Sequence, residues 1–229
     1  MPPRSRPIAP MGPTGPVPWR PPSTFRRLAR YVIFHGLRLP LRLGLHAICG
    51  VRVAGEEHVP ARGGLIVAAN HLSLADPVVL QVYVPRFLTY LMTDNFYYVP
   101  VLNQLVRFWG ALVVKEGGMN KETLRAAEAV LARGGAIGIF PEGGITRQGG
   151  VREAQQGVAL LALRACAPIL PVGIAGTERL LPPDGGRLHR APLSICIGEP
   201  IAPEPAAREV LAGRVTEAIR ACVERAQLL

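Results

Sequence analysis

Lysine is almost missing: Lys115 and Lys121 are the only two, so a formal net charge of +10 over 229 residues rests almost wholly on arginine. Cysteine is scarce and scattered. Cys49, Cys166, Cys196 and Cys222 form no CxxC pair, which argues against a disulfide framework or a zinc site and for a reducing cytosol. His35, His46, His58 and His189 have no ligand spacing among themselves, so no metal is expected. Aromatic residues make up only 6%, and no basic, aromatic-rich strand or recognised nucleic-acid module is present. The basic charge is therefore read as a charge for something other than DNA or RNA. No apolar run reaches the ~18 residues of a membrane-spanning helix. Arg4 and Arg6 are followed by proline and glycine rather than by an apolar segment, so no signal peptide is expected.

What is present is apolar and punctuated. Hydrophobic residues make up 49%, enough for one domain with a sizeable core. Residues 1–22 are rich in proline and glycine and read as a disordered tail. From Ser23 the pattern turns helical: Phe25, Leu28, Ala29, Val32 and Ile33 recur with Arg26, Arg27 and Arg30 between them. Pro40 is expected to break this helix, and Leu41, Leu45 and Ile48 to start a second. A basic amphipathic pair over residues 23–50 suits a lipid headgroup plane, where each arginine contributes roughly 1 kcal/mol near an anionic leaflet.

Residues 51–229 read as the main domain. Short apolar runs at 51–53, 65–69, 87–92, 111–114, 136–140, 169–174 and 193–197 alternate with helical patterns at 76–82, 99–108, 121–132, 154–165 and 205–226. This alternation predicts an α/β fold with a mainly parallel central sheet flanked by helices, preceded by the N-terminal amphipathic pair. Ligands of such sheets bind beyond the carboxyl ends of the strands.

Two stretches lie at such ends. The first, NHLSLADP at 70–77, places His71 just past the strand 65–69 and Asp76 at the next helix start. Asp before Pro is an ordinary helix opening, with Asp76 as the N-cap. A compact loop would also fold the carboxylate onto one imidazole nitrogen, fixing the tautomer and freeing the other nitrogen to take a proton from a hydroxyl. Ser73 lies between them without the GxSxG surroundings of a serine nucleophile, so the pair suits direct attack by a substrate hydroxyl. The second stretch, FPEGGITR at 140–147, offers the Glu142 carboxylate, the backbone N–H groups of Gly143 and Gly144, and the planar fork of Arg147. It could cradle an anion or be a plain glycine turn.

Together NHxxxxD and FPEG, with Gly110–Val114 and Pro168–Ile174 in the same order, resemble the glycerolipid acyltransferase family of the 1-acylglycerol-3-phosphate (PlsC) type over roughly residues 50–200. The resemblance implies O-acyl transfer from acyl-CoA or acyl carrier protein to the free hydroxyl of a lysophospholipid, without a cofactor or an acyl-enzyme. It implies His71 as general base and Asp76 as its orienting partner. It implies Asn70, Ser73, Lys115, Glu142, Gly143, Gly144 and Arg147 as substrate-binding residues, and Pro171 as shaping the donor side. The partners would be a membrane lipid surface, the acyl donor and the lysophospholipid, with monotopic attachment at the cytoplasmic face of the cell membrane. This chain departs from the family in two places. Glu116, after Lys115, stands where an arginine usually helps bind acceptor phosphate, and the region ahead of Gly157 where a Phe–Lys pair is common reads Ala154-Gln155-Gln156. A different hydroxyl acceptor, hydrolysis by water as in a lipid thioesterase or phospholipase, and a non-catalytic lipid-binding role are the alternatives.

Overall fold

All five residues of β2, Leu65–Ala69, are fully buried, so the run needs no polar alternation. It occupies the centre of a seven-stranded sheet in the computed structural model, which describes residues 23–93, 110–114, 119–146, 151–183, 186–204 and 207–229. The tail expected at 1–22 and the helix expected at 99–108 lie outside the described residues. The other strands are β1 (Arg52–Ala54), β3 (Leu88–Thr93), β4 (Leu112–Val114), β5 (Ala136–Ile139), β6 (Ile169–Ala175) and β7 (Ser194–Ile197). Their order is β1-β7-β6-β2-β5-β3-β4. Every neighbouring pair is parallel except β6 with β7, which runs antiparallel.

Helices cover both faces: α1 (Thr24–Cys49), α2 (Asp76–Tyr83), α3 (Lys121–Ala132), α4 (Gln156–Ala165), the short α5 (Thr177–Leu180) and α6 (Arg208–Leu228). Residues of β2 alternate between two cores. Leu65, Val67 and Ala69 pack with Val79, Leu80 and Tyr83 of α2, while Ile66 and Ala68 pack with α3, α4 and α6. Local signals explain the helix limits. The Asn120 side chain accepts the Thr123 N–H at 2.8 Å to open α3, and Gly134, at φ 73°, follows its end.

The N-terminal pair is a correction. One continuous helix runs through Pro40. Proline removes one helical hydrogen bond, but tertiary ties straddle it. Arg38 donates from Nε to the Val82 carbonyl at 2.8 Å, and Arg42 forms a two-pronged pair with Glu56 at 2.8 and 2.9 Å. That pairing raises the Arg42 pKa and lowers that of Glu56, so both stay charged. Arg190 then fastens the end of α1, reaching the Ile48 and Ala47 carbonyls at 2.8 and 3.1 Å. The outer side of α1 is apolar: Phe25, Leu28, Val32, Leu39 and Leu43 form one stripe and are all well exposed.

Close approach fixes the far side. Gly173 of β6 lies against α6, where a β-carbon would stand 2.2 Å from the backbone carbonyl carbon of Cys222. Only a residue without a side chain lets helix and strand meet there.

Candidate active site

β2 delivers Asn70 and His71 to the carboxyl end of the sheet, and a tight loop returns the chain into α2. Asp76 is the first residue of α2 rather than its N-cap, which is Ala75. The difference has a cause. The fully buried Asp76 carboxylate turns back into the preceding loop, where its Oδ2 accepts the Leu72 and Ser73 N–H groups at 2.7 and 2.8 Å. The same oxygen accepts from His71 Nδ1 at 2.8 Å. The positive end of α2 favours the charge there. A carboxylate is an acceptor only, so the imidazole hydrogen resides on Nδ1 and Nε2 carries the lone pair. Nε2 makes no hydrogen bond among the described residues, and the His71 side chain is 12% exposed.

Asn70 and Ser73 have other uses. The buried Asn70 amide donates to the Ile174 carbonyl at 2.9 Å and accepts the Ile174 N–H at 2.8 Å, pinning β6 to the end of β2. Ser73 donates from Oγ to the Leu181 carbonyl at 2.6 Å and accepts the Ala75 N–H at 3.1 Å. Neither therefore faces an open cleft, and the Ser73 hydroxyl is committed away from the imidazole.

The loop after β5 brings the second stretch alongside. Glu142 is buried and accepts the His71 N–H at 3.3 Å, the Arg152 N–H and the Thr146 hydroxyl. Burial raises its pKa, and these hydrogen bonds pull it partly back. Thr146 closes the ring by donating its N–H to the His71 carbonyl at 2.8 Å. Gly143 turns the chain at φ 75°, its N–H on the Phe140 carbonyl at 3.1 Å, and a β-carbon there would lie 2.3 Å from the Gln155 amide nitrogen. Gly144 adjoins it, half-buried. Lys115, Glu116 and Arg147 lie outside the described residues. Pro171 is buried within β6, where its carbonyl accepts the Gly198 N–H at 2.9 Å. Its missing N–H falls where β7 gives out, so one ladder bond at most is lost.

Three residues of this cluster went unread as site residues in the sequence. Thr146 carried a faint signal, a hydroxyl four places after a loop carboxylate. Phe140 was legible only as the end of a strand. Tyr90 gave no signal, because its part depends on contact with a residue fifty positions away. A depression of about 470 Å³ lies at the opposite, amino ends of β2, β3 and β5 and includes none of these groups. Among the described residues, no group of three His, Cys, Asp or Glu could hold a metal ion.

Comparisons with known proteins bear on the family and the fold. The chain is 29% identical over 133 residues to a 1-acyl-sn-glycerol-3-phosphate acyltransferase of Borreliella burgdorferi, covering 55% of this chain and 51% of that protein. It thus spans about half the length of that relative. A Bacillus subtilis protein of the same description is 25% identical over 154 residues, covering 66% of this chain and 74% of its own. The crystal structure of the 1-acyl-sn-glycerophosphate acyltransferase PlsC from Thermotoga maritima superposes with a TM-score of 0.75 at 25% identity, over 89% of this chain and 83% of that one. The acyltransferase family model matches residues 50–175, from the strand that opens the sheet through the end of β6 and both site loops. On that match, which covers more than half of its length, the chain belongs to the acyltransferase family.

Proposed function

We propose that the protein transfers a fatty acyl group from acyl-CoA or acyl carrier protein to the free hydroxyl of a lysophospholipid, 1-acyl-sn-glycerol-3-phosphate being the first acceptor to test. The observation that carries this reading is the His71–Asp76 pair at 2.8 Å, with Nε2 free of any hydrogen bond among the described residues. Nε2 takes the hydroxyl proton while the oxygen attacks the thioester carbonyl. The tetrahedral intermediate collapses, the C–S bond breaks, and the proton passes from Nε2 to the leaving thiolate. Asp76 stabilises the imidazolium in between. General base assistance of this kind contributes typically about 10²–10⁴-fold. No acyl-enzyme is involved, and the commitment of Ser73 to the Leu181 carbonyl supports that. Glu142, Gly143, Gly144, Arg147 and Lys115 belong to the acceptor side, and Pro171 to the donor side.

One observation favours a second acceptor. The neutral Gln155 amide packs against Gly143, where a cation would hold phosphate better. The test is mass spectrometry of products from the purified protein with mixed lysolipids and both thioester donors. Phosphatidic acid as the main product supports the first reading. Another acylated lipid shifts the acceptor, and free fatty acid in excess of any acylated lipid overturns transfer in favour of hydrolysis.

The exposed apolar stripe of α1, with the chain's formal net charge of +10, supports attachment to an anionic lipid surface. Among the described residues no helix is long and apolar enough to cross a membrane. Phe25, Leu28 and Val32 are 80%, 61% and 59% exposed, so replacing all three with serine leaves the core untouched. In sedimentation with vesicles containing anionic lipid, this variant is expected to lose at least about tenfold in partitioning. Unchanged co-sedimentation would refute the lipid-facing role of α1.

A further inference from the structure

A hydrogen bond at Nδ1 holds one edge of the His71 imidazole and leaves the ring free to tilt about the line to Asp76. That tilt carries Nε2, the nitrogen that must meet a hydroxyl, sideways out of line. A second contact resists it. The imidazole stacks face-on against Phe140, with ring centroids 4.1 Å apart and planes 16° from parallel. Phe140 is itself flanked by Tyr90, whose ring centroid lies 6.3 Å away with its plane 7° from parallel. Tyr90 is fixed in turn: its hydroxyl donates to the Pro77 carbonyl at 2.7 Å, in the first turn of α2 next to Asp76. Gly138 leaves the space that the Tyr90 ring fills, since a β-carbon there would lie 2.5 Å from Cε1. Burial and the nearby Asp76 charge push the Tyr90 phenol well above its ordinary pKa, so it remains a donor. The in-plane tie and the out-of-plane wall of His71 are thus both anchored to the first turn of α2.

We propose that Phe140, braced by Tyr90, is a positioning residue for His71: its ring face sets the imidazole plane and stabilises the imidazolium while the substrate proton rests on Nε2. An aromatic face attracts a cation that is held over it, and does so most strongly when water is excluded. The inference rests on the general-base reading above and adds the element that makes one nitrogen point one way. A merely space-filling Phe140 would be replaceable by leucine. A stacking Phe140 is replaceable by tyrosine and not by leucine.

The experiment compares Phe140→Leu, Phe140→Tyr and Tyr90→Leu in the full chain, with His71→Ala in the same assay. Two quantities are read: steady-state transfer kinetics, and the NMR positions of the His71 ring protons, which a stacked neighbour moves upfield. Phe140→Leu is expected to lower kcat by about tenfold with KM held, and to release the upfield shift. Phe140→Tyr is expected to keep both. Tyr90→Leu, which leaves Phe140 present but unbraced, is expected to fall between them and gives the answer if Phe140→Leu does not fold. Loss of the upfield shift without loss of kcat overturns the proposal, as does loss of kcat with the shift unchanged. Full transfer by His71→Ala would instead overturn the base assignment, a failure that the ring-proton positions do not share.

Discussion

His71→Ala is expected to abolish measurable transfer to the lysolipid hydroxyl, and Asp76→Asn to come close to it. Alanine leaves no group at the carboxyl end of β2 able to take the proton, which removes the ~10²–10⁴-fold of general base assistance and any orienting effect on the acceptor. Asparagine is nearly the same shape, so its effect is more informative. All three hydrogen bonds to Asp76 converge on Oδ2, while Oδ1 is buried without a partner among the described residues. If the asparagine oxygen takes the Oδ2 corner, the tautomer survives, but the charge that balances the imidazolium is gone and an NH2 group is buried with no acceptor. If the NH2 takes that corner, it opposes three donors and drives the imidazole hydrogen to Nε2. Either way turnover should fall by about 10²–10⁴-fold. Circular dichroism and thermal melting of both variants would show whether the fold is intact. Near-normal turnover in a folded His71→Ala protein would remove the basis of the mechanism.

Gly173→Ala is expected to produce a large loss of stability for a change of one methyl group. The new methyl would stand 2.2 Å from the carbonyl carbon of Cys222, 2.3 Å from the Val223 nitrogen and 2.5 Å from the Cys222 oxygen. These are backbone atoms of α6, which cannot rotate away as a side chain would. Either α6 lifts off the sheet or β6 shifts. Lifting α6 loosens its own buried face, Leu211, Val215, Ile219 and Cys222. The cost should reach the upper end of the overpacking range, about 3 kcal/mol or more. For a domain of this size that is a fall in Tm of roughly 6–12 °C by calorimetry. Shifting β6 has a second effect, because Ile174 holds Asn70 at the root of the His71 loop. A variant that melts like the parent would show that helix and strand do not approach as closely as described.

Much of the fold was legible because burial and periodicity act locally. The apolar run 65–69 can only be an interior strand, and 121–132 carries its own cap and its own stop. Elements fixed by remote contacts were not legible. Proline inside α1 is tolerated because Arg38 and Arg42 tie the helix to Val82 and Glu56, well away in the chain. The direction of β7 and the short α5 depend on how the chain returns across the sheet edge, which periodicity does not encode. At the site, the meeting of His71 and Asp76 was readable because they stand only five positions apart on one tight loop. Asn70 and Ser73 looked available from their position, yet their polar atoms are taken by Ile174 and Leu181, each more than a hundred residues away. The Phe140–Tyr90 stack was hidden for the same reason, since it exists only once β3 lies beside β5, whereas the Glu142–Thr146 tie is local and left only a faint signal.

The unbroken course of α1 has a mechanical consequence. A helix of 26 residues is a rod of about 39 Å. This one is bolted to the domain near its carboxyl end, by Arg42 to Glu56 and by Arg190 to its last turn, and bares its apolar stripe outward. A hinged pair would let the sheet swing freely above a bilayer. A bolted rod would act as a keel: were its stripe immersed in lipid, the tilt and standoff of the whole domain would be set, and His71 would keep a constant height above that surface.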